Sequence, residues 1–430
     1  MSRKQKSNQP TIDRLAQKLI ELVEMFRKGG PASDYDWWGK ENPRTVYKTY
    51  PGYERGQKIF NEVVEGVLKL NPDMLSKSEV ESRLTYEFLK QQTSYPDRLS
   101  GQELVNKARN QINELVEFEA WQDIDFPIMN LLLEGEPVKL GYVTFVAATK
   151  EDIEKWQEKD YASVLQGIAD IHVFARVHAP GDMARALSHT RTQVNLALDV
   201  LRILCFPFGP VKDSCGIGVL GDIESHRFTP VRIDQRQFAI HFENLFDMSG
   251  YAKIELRKHI LSKLKQPQLA LIKKLILKTE DSRSNMENKL LDGIHWLGES
   301  AKPDTNRARF VKIGVALETL LGGEPTDEML QVRGITAMLA ERAAIIAGNG
   351  LDDRLGIDKK VRKYYGMRSG IVHGHKNDIT LIHIDDFGIL VRRLVLALLE
   401  KLDKLGDNLR DVNDLESWVK TQRYTLPEES

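Results

Sequence analysis

The chain has 430 residues, and 61 Lys and Arg stand against 62 Asp and Glu, for a formal net charge of -1. Hydrophobic residues make up 41% and charged residues 29%, which excludes a disordered chain and suffices for two or three domains with cores of their own. With no global field to draw in nucleic acid, a polyanion site would have to be a local basic patch.

No apolar run approaches the ~18 residues that suggest a membrane span. The opening Met-Ser-Arg-Lys-Gln-Lys-Ser is basic but lacks the apolar core of a secretory signal. The expected setting is therefore cytoplasmic, with no membrane partner. Cys205 and Cys215 make no disulfide framework in a chain this long and read as reduced structural thiols.

Residues 1–10 are polar and predict disorder. From Thr11 to Lys28, Leu15, Leu19, Leu22, Val23 and Phe26 recur at helical spacing until Gly29-Gly30-Pro31 stops them. An aromatic, turn-rich loop follows over about 34–52. Helices are predicted near 54–70, 77–92 and 100–117, each with one apolar stripe. Near 120 the period changes. Asp123 to Leu133 and Val138 to Val146 read as a strand pair across the turn Glu134-Gly-Glu-Pro. A short helix is expected near 150–158, a strand at 170–178, and a helix over 182–204 after the turn Pro180-Gly181. Gly216 to Leu220, Val231 to Asp234 and Phe238 to Phe242 read as further strands.

From about 249 to 405 the pattern is almost purely helical, with helices expected near 251–279, 284–300, 305–322, 331–347, 358–373 and 385–405. Ser284-Asn-Met-Glu287 is a capping box, in which hydroxyl and carboxylate satisfy two orphan amides. Met286, Leu290, Leu291, Ile294 and Leu297 then share one face, and the last helix carries Leu390, Val391, Leu394, Val395, Leu398, Leu399 and Leu402. The final two dozen residues are polar and predict a peripheral tail. The fold class is thus mainly α with a mixed α/β middle region and a C-terminal helical bundle. The expected domains are a helical region at 1–118, an α/β domain at 119–250, connecting helices at 251–283, a bundle at 284–405 and a tail at 406–430.

Several motifs point away from familiar chemistries. Gly216-x-Gly218-x-x-Gly221 has dinucleotide-fingerprint spacing, but Asp222-Ile-Glu-Ser follows where a helix N-terminus would be needed, so a glycine-rich strand or turn is the better reading. No phosphate loop of the Gly-x-x-x-x-Gly-Lys-Ser/Thr kind exists in the chain. Cys205 and Cys215 lack clustered histidine, His172 and His178 share a strand face without carboxylate partners, and His189 reads as structural. Neither a metal nor a cofactor is expected.

Chemistry concentrates in Tyr364-Tyr365-Gly366-Met367-Arg368-Ser369-Gly370-Ile371-Val372-His373-Gly374-His375, behind the basic Lys359, Lys360, Arg362 and Lys363. These cations favour a bound anion over a metal. The residue types suit metal-free RNA cleavage. A base takes the 2′-hydroxyl proton, an acid protonates the leaving 5′-oxygen, and a fixed cation stabilises the phosphorane. Histidine fits the first two roles by its pKa, and arginine the third by its planar fork. Lys359, Lys360, Arg362 and Lys363 would then hold the RNA backbone, or else form a solvated helix face. At ~100° per residue, Arg368 and His373 diverge by about 140° on a regular helix. Either the helix breaks near Gly370 or Gly374, or a second chain supplies the complementary histidine.

Arg368-Ser369-x-x-x-His373-Gly374, after Tyr364-Tyr365 on the penultimate helix of a bundle, resembles the HEPN superfamily motif of an arginine followed by four to six residues and a histidine. Ile294-His-Trp-Leu and Val315-Ala-Leu-Glu-Thr-Leu-Leu321 extend the likeness, which is greatest to the ApeA-like branch of bacterial anti-phage and stress proteins. It covers about 284–405. The resemblance implies a bundle that dimerises and joins two motifs in one cleft as a metal-independent endoribonuclease, with RNA as substrate. Arg368 would bind the scissile phosphate and His373 would act as general acid or base. Ser369 takes the polar position after the arginine, His375 satisfies the looser spacing and would assist or substitute, Tyr365 would assist, and Glu318 would face the same cleft or else be an ordinary surface carboxylate. A regulated toxin or anti-phage effector is the implied role. The regions before the bundle would then receive a trigger ligand or phage protein. A non-catalytic dimerisation or RNA-binding scaffold is the alternative.

Overall fold

The computed structural model describes residues 3–29, 53–89, 91–92, 99–157, 172–205, 216–220, 222, 228–232, 238–242, 254–256, 267–302, 304–322, 334–374 and 378–424. The aromatic loop at 34–52, Cys215, Gly221 and His375 lie outside the described residues. The chain divides into two compact units, Met1–Ile124 with His178–Arg191, and Asp125–Val177 with Thr192–Ser430.

The first unit is built on helices α1 (Arg3–Gly29), α2 (Tyr53–Leu70), α3 (Lys77–Ser82, running on into a π-helical turn Arg83–Leu89) and α4 (Gly101–Val116). Leu15, Leu19, Leu22 and Val23 of α1 interleave with Val63, Val64 and Val67 of α2 and with Ala108, Ile112 and Leu115 of α4. Burying a side chain of this size is worth about 1.5–3 kcal/mol, so the predicted apolar stripes are what holds these helices together. Gly66 allows the α1–α2 approach, since a Cβ there would sit 2.5 Å from Leu15 Cδ2. The N-terminus departs from expectation. Residues 3–10 belong to α1, with Pro10 inside it, and Gln9 bonds Asp13 one turn on at 3.2 Å. The expected disorder there is thus replaced by helix.

After α4 the chain forms a sheet of order β3-β4-β5-β1-β6. Its strands are β1 (Trp121–Met129), β3 (Val138–Leu140), β4 (Val143–Ala147), β5 (Val173–Pro180) and β6 (Gly218–Val219), with α5 (Lys150–Gln157) and α6 (Met183–Cys205) following β4 and β5. Apart from it, β2 (Leu131–Leu133) pairs in parallel with β9 (Ile254–Leu256), and β7 (Phe228–Arg232) pairs antiparallel with β8 (Phe238–Phe242). The expected strand pair across 134–137 does not form. Residues 138–146 fold on themselves instead, with Leu140 opposite Val143 around a two-residue turn. Gly141, at φ +61, supplies the positive dihedral that such a hairpin turn requires. Residues 254–256, expected as helix, form β9. Ile254-Glu-Leu256 buries Leu256 and pairs with β2, so a tertiary partner overrides the local helical spacing.

The remaining chain is helical: α7 (Pro267–Ile276), α8 (Asn285–Ala301), α9 (Asn306–Leu321), α10 (Ile335–Ala347), α11 (Leu351–Val372), α12 (Leu381–Leu405) and α13 (Val412–Tyr424). The capping box forms as expected, with Glu287 N donating to Ser284 Oγ at 3.2 Å and Ser284 N to the Glu287 carboxylate at 2.9 Å. The stripe of α8 is buried, as are Phe310, Ile313, Leu317 and Leu320 of α9 and Val391, Leu394, Val395 and Leu398 of α12. Two boundaries move outward. α11 starts seven residues early because Asp352 and Asp353 occupy its first turn, where carboxylates suit the free amides. α12 starts behind Thr380 and not Asp385. The C-terminal segment is no peripheral tail. α13 buries Leu415 and Val419, and its Glu416 receives the buried Arg342 of α10 at 3.2 Å.

No described helix is long and apolar enough to cross a membrane.

Candidate active site

The site lies where α11 crosses α9. Arg368 and Tyr365 lie one turn apart on α11, and both reach Glu318 on α9. Arg368 donates to Glu318 Oε2 at 2.7 Å, and Tyr365 Oη donates to Oε1 of the same carboxylate. The guanidinium carbon lies 5.6 Å from the Tyr365 ring centroid, within cation–π range. Gly314, one turn before Glu318, makes this possible. A Cβ there would fall 2.7 Å from Arg368 Cγ, so only bare backbone lets the arginine stem lie along α9.

The three groups hold each other in place. Burial and the hydrogen bond to Glu318 push Tyr365 up to about 12, so it stays a donor throughout the neutral range. Tyr364 has the same character on the adjoining face. Burial and its bond to Asp386, at 2.9 Å, push it up to about 12. Its ring packs among Phe310, Phe387 and His383. Tyr364 is thus a core residue with a satisfied hydroxyl.

The helix does not break at Gly370. α11 continues to Val372, His373 is its C-cap with N–H donating to the Ser369 carbonyl at 3.0 Å, and Gly374 at φ +83 ends it. Arg368 and His373 therefore keep the wide divergence of a regular helix. Arg368 lies half-buried against α9, whereas His373 is exposed and its ring has no bonding partner among the described residues. Ser369 is half-buried on the side of His373. Of the predicted residues, Arg368, Tyr365 and Glu318 come together, and His373 with Ser369 does not join them.

The basic run is spread round the outside of α11. Lys359, Lys360, Arg362 and Lys363 are all exposed. Arg362 is answered within its own helix by Asp358, in two bonds of 2.7 and 3.0 Å. Lys363 lies over the Tyr364 ring at 5.1 Å. Lys359 and Lys360 face solvent.

One further feature follows His373 along its helix. At ~100° per residue, Leu351, Leu355, Ser369 and His373 fall within about 40° of one another. Leu351 and Leu355 are exposed, at 71% and 59%. Asp353 bonds Arg393 of α12, and Ile389, one turn before that arginine, is exposed as well. Apolar side chains of this kind are seldom left on one face of a helix without a partner.

Two contributors escaped the sequence reading: Gly314 and Asp386. A glycine inside an otherwise helical pattern is the recognisable sign of close backbone approach, and Lys312-Ile-Gly314-Val carries it. Asp386 has no comparable signal, because nothing local shows that it will meet Tyr364. Elsewhere, His178 bonds Asp123 at 2.8 Å and stacks on Trp121, so it has an ordinary surface partner. His189 is held below its usual range by burial.

No family model, curated protein or solved structure matches the chain.

Proposed function

We propose that the protein is a metal-independent endoribonuclease of the HEPN type, active when two copies bring their α11 helices together. The observation that carries this is the division of labour on α11. Arg368 is rigidly seated by Glu318 and Tyr365, while His373 stands at the helix end with both ring nitrogens available. One such helix separates cation from imidazole. Two would supply both histidines to one cleft.

In that cleft one neutral His373 accepts the 2′-hydroxyl proton as the 2′-oxygen attacks phosphorus. The other, protonated, gives its proton to the departing 5′-oxygen. The products are a 2′,3′-cyclic phosphate and a 5′-hydroxyl, with no change in oxidation state and no water consumed. Arg368 offers its remaining guanidinium donors to the phosphorane oxygens, where charge builds in the transition state. DNA, lacking the 2′-hydroxyl, would be inert. The exposed Leu351 and Leu355 on the His373 face supply the apolar area that a second copy would cover. Lys359 and Lys360 would hold neighbouring phosphates. Since uncontrolled RNA cleavage harms the host cell, the role that fits is a regulated toxin or anti-phage effector in the cytoplasm, with the regions ahead of the bundle receiving the trigger.

The test is chelator-insensitive cleavage of RNA by the purified protein. It is expected to vanish in both Arg368→Ala and His373→Ala while folding is retained. Cleavage that survives both substitutions would sink the assignment.

One observation favours a second reading. The Arg368 charge is already paired with Glu318, which suits a structural arginine in a non-catalytic dimerisation or RNA-binding scaffold. RNA binding without cleavage would select it.

A further inference from the structure

A second polar node, independent of α11, joins α6 to α8. Asp199 on α6 has no exposed side-chain surface, yet both its carboxylate oxygens are taken. Oδ1 accepts from the Arg202 guanidinium one turn on, and Oδ2 lies 2.8 Å from Nδ1 of His295 on α8. Arg202 is equally buried, and its other terminal nitrogen donates to the Ile217 carbonyl at 2.8 Å, just ahead of β6. Gly298, on the face of α8 that carries His295, brings bare backbone against this carboxylate. A Cβ there would lie 2.3 Å from Asp199 Oδ1. A continuous chain of bonds thus runs from the end of the sheet through α6 to α8. Its last member, His295, is the only one that reaches solvent, at 48% side-chain exposure.

Donor atoms of Asp199, His295 and Glu299 lie within 4.8 Å of one another, which raises the question of a metal. The charges argue for a proton instead. Arg202 already bonds Asp199 and Lys302 already bonds Glu299, so two carboxylates are matched by two cations. A divalent ion would place two uncompensated charges there, whereas a proton on His295 adds one, directly against Asp199.

We propose that the Asp199–His295 pair is a pH-governed clamp between α6 and α8, tight when His295 is protonated and looser when it is neutral. The groups that face the imidazole are Asp199 from α6 and Glu299 and Lys302 from α8, with Arg202 behind Asp199. No charged side chain of α9 or α12 bonds it among the described residues. The bond to Asp199 raises the His295 pKa most. Burial opposes it, the charges of Asp199 and Glu299 add to the rise, Lys302 opposes, and the net direction is upward. A histidine raised in the folded state contributes stability that is complete below its unfolded value, ~6.5, and is lost as pH rises through the folded value. Above that range a neutral Nδ1–H still donates to the Asp199 carboxylate, but the attraction between two opposite charges is lost and the bond is weaker. What the clamp fixes is α8, whose Gly293 receives Leu320 of α9. None of this depends on the ribonuclease reading.

The test uses the full chain in two measurements. In an NMR titration with ring-labelled histidine, the His295 signal is assigned by its absence in His295→Gln. It is expected to titrate above the ordinary histidine value. In hydrogen exchange corrected for intrinsic rates, protection of the amides in α8 and in 192–205 is expected to fall about five-fold from about pH 6 to about pH 9. His295→Gln, which keeps a side-chain donor but cannot titrate, is expected to show a flat response. A His295 that titrates at or below the ordinary value overturns the clamp. So does a variant with the same pH dependence as the wild type.

Discussion

The α9–α11 site and the α6–α8 node use the same parts in opposite ways. Each centres on one carboxylate that accepts from an arginine and from a second polar ring. At the node, Arg202 and Asp199 are 1% and 0% exposed, and the histidine is drawn in as a partner. At the site, Arg368 and Glu318 keep 18% and 25% of their side chains exposed, a tyrosine takes the second oxygen, and the histidine is left outside. A sealed ion pair holds structure, because nothing can displace its partners without baring a charge. A partly open one, with donors to spare and a free imidazole on the same helix, keeps its chemistry available. The position of the histidine, and not the presence of the ion pair, is what distinguishes a candidate active site from a joint.

The largest expected difference follows from removing each carboxylate. Asp199→Ala strands Arg202 in the interior, and breaking a buried pair in this way costs about 3–5 kcal/mol. Glu318→Ala leaves a half-buried arginine that can turn toward water, at roughly 1–2 kcal/mol. Urea unfolding of the two variants measures the gap. Equal losses would remove the distinction drawn above.

The glycines sharpen it at a smaller scale. Gly298→Ala drives a methyl into the fixed, doubly bonded Asp199, and overpacking of that kind costs about 1–3 kcal/mol. Gly314→Ala pushes on the Arg368 stem at Cγ, but that arginine is partly open to solvent and not sealed like Asp199, so its cost is expected at the low end of the range, about 1 kcal/mol. Its effect should show instead as a displaced arginine, read as weaker RNA cleavage than wild type at only slightly lower stability.

The histidines give the next contrast. His373→Ala removes an exposed ring without partners among the described residues and is expected to stay within about 0.5 kcal/mol of wild type in thermal unfolding. His295→Ala, which unpairs one oxygen of buried Asp199, should cost about 1–3 kcal/mol under the same conditions.

Much of this architecture was legible in the sequence. Apolar periodicity located the helices of both units, and Ser284-Asn-Met-Glu287 fixed the start of α8 to the residue, because those signals are local. Arg368 and His373 were named from their residue types and spacing, Glu318 and Tyr365 through the resemblance, and three of the four meet. What stayed hidden depends on distant partners. Ile254-Glu-Leu256 looks helical until β2 lies beside it, α13 looks like a polar tail until Arg342 needs Glu416, and Asp199 lies 96 residues from His295. The glycines 293, 298 and 314 were the sequence's own marks of these meetings. Each sits inside a strong helical pattern that a larger residue would have served better on propensity alone.

The smallest expected effect lies at alkaline pH, and it concerns Tyr365. In the unfolded chain a tyrosine ionises near ~10, whereas Tyr365 is held up to about 12 by burial and by Glu318. The folded state therefore gains stability from this neutral hydroxyl below the unfolded value and loses it as pH climbs toward the folded one. Tyr364 behaves alike through burial and Asp386, so ultraviolet titration should show two tyrosines resisting ionisation until the protein opens. Tyr365→Phe removes one of them, and with it the donor that shares Glu318 with Arg368. Its stability should fall less steeply than wild type between about pH 10 and about pH 12, at the expense of a looser Arg368 at neutral pH. An unchanged alkaline slope would mean that the Tyr365–Glu318 bond does not persist in solution. Arg368 would then be held by Glu318 alone, and the site would be less rigidly seated than the node.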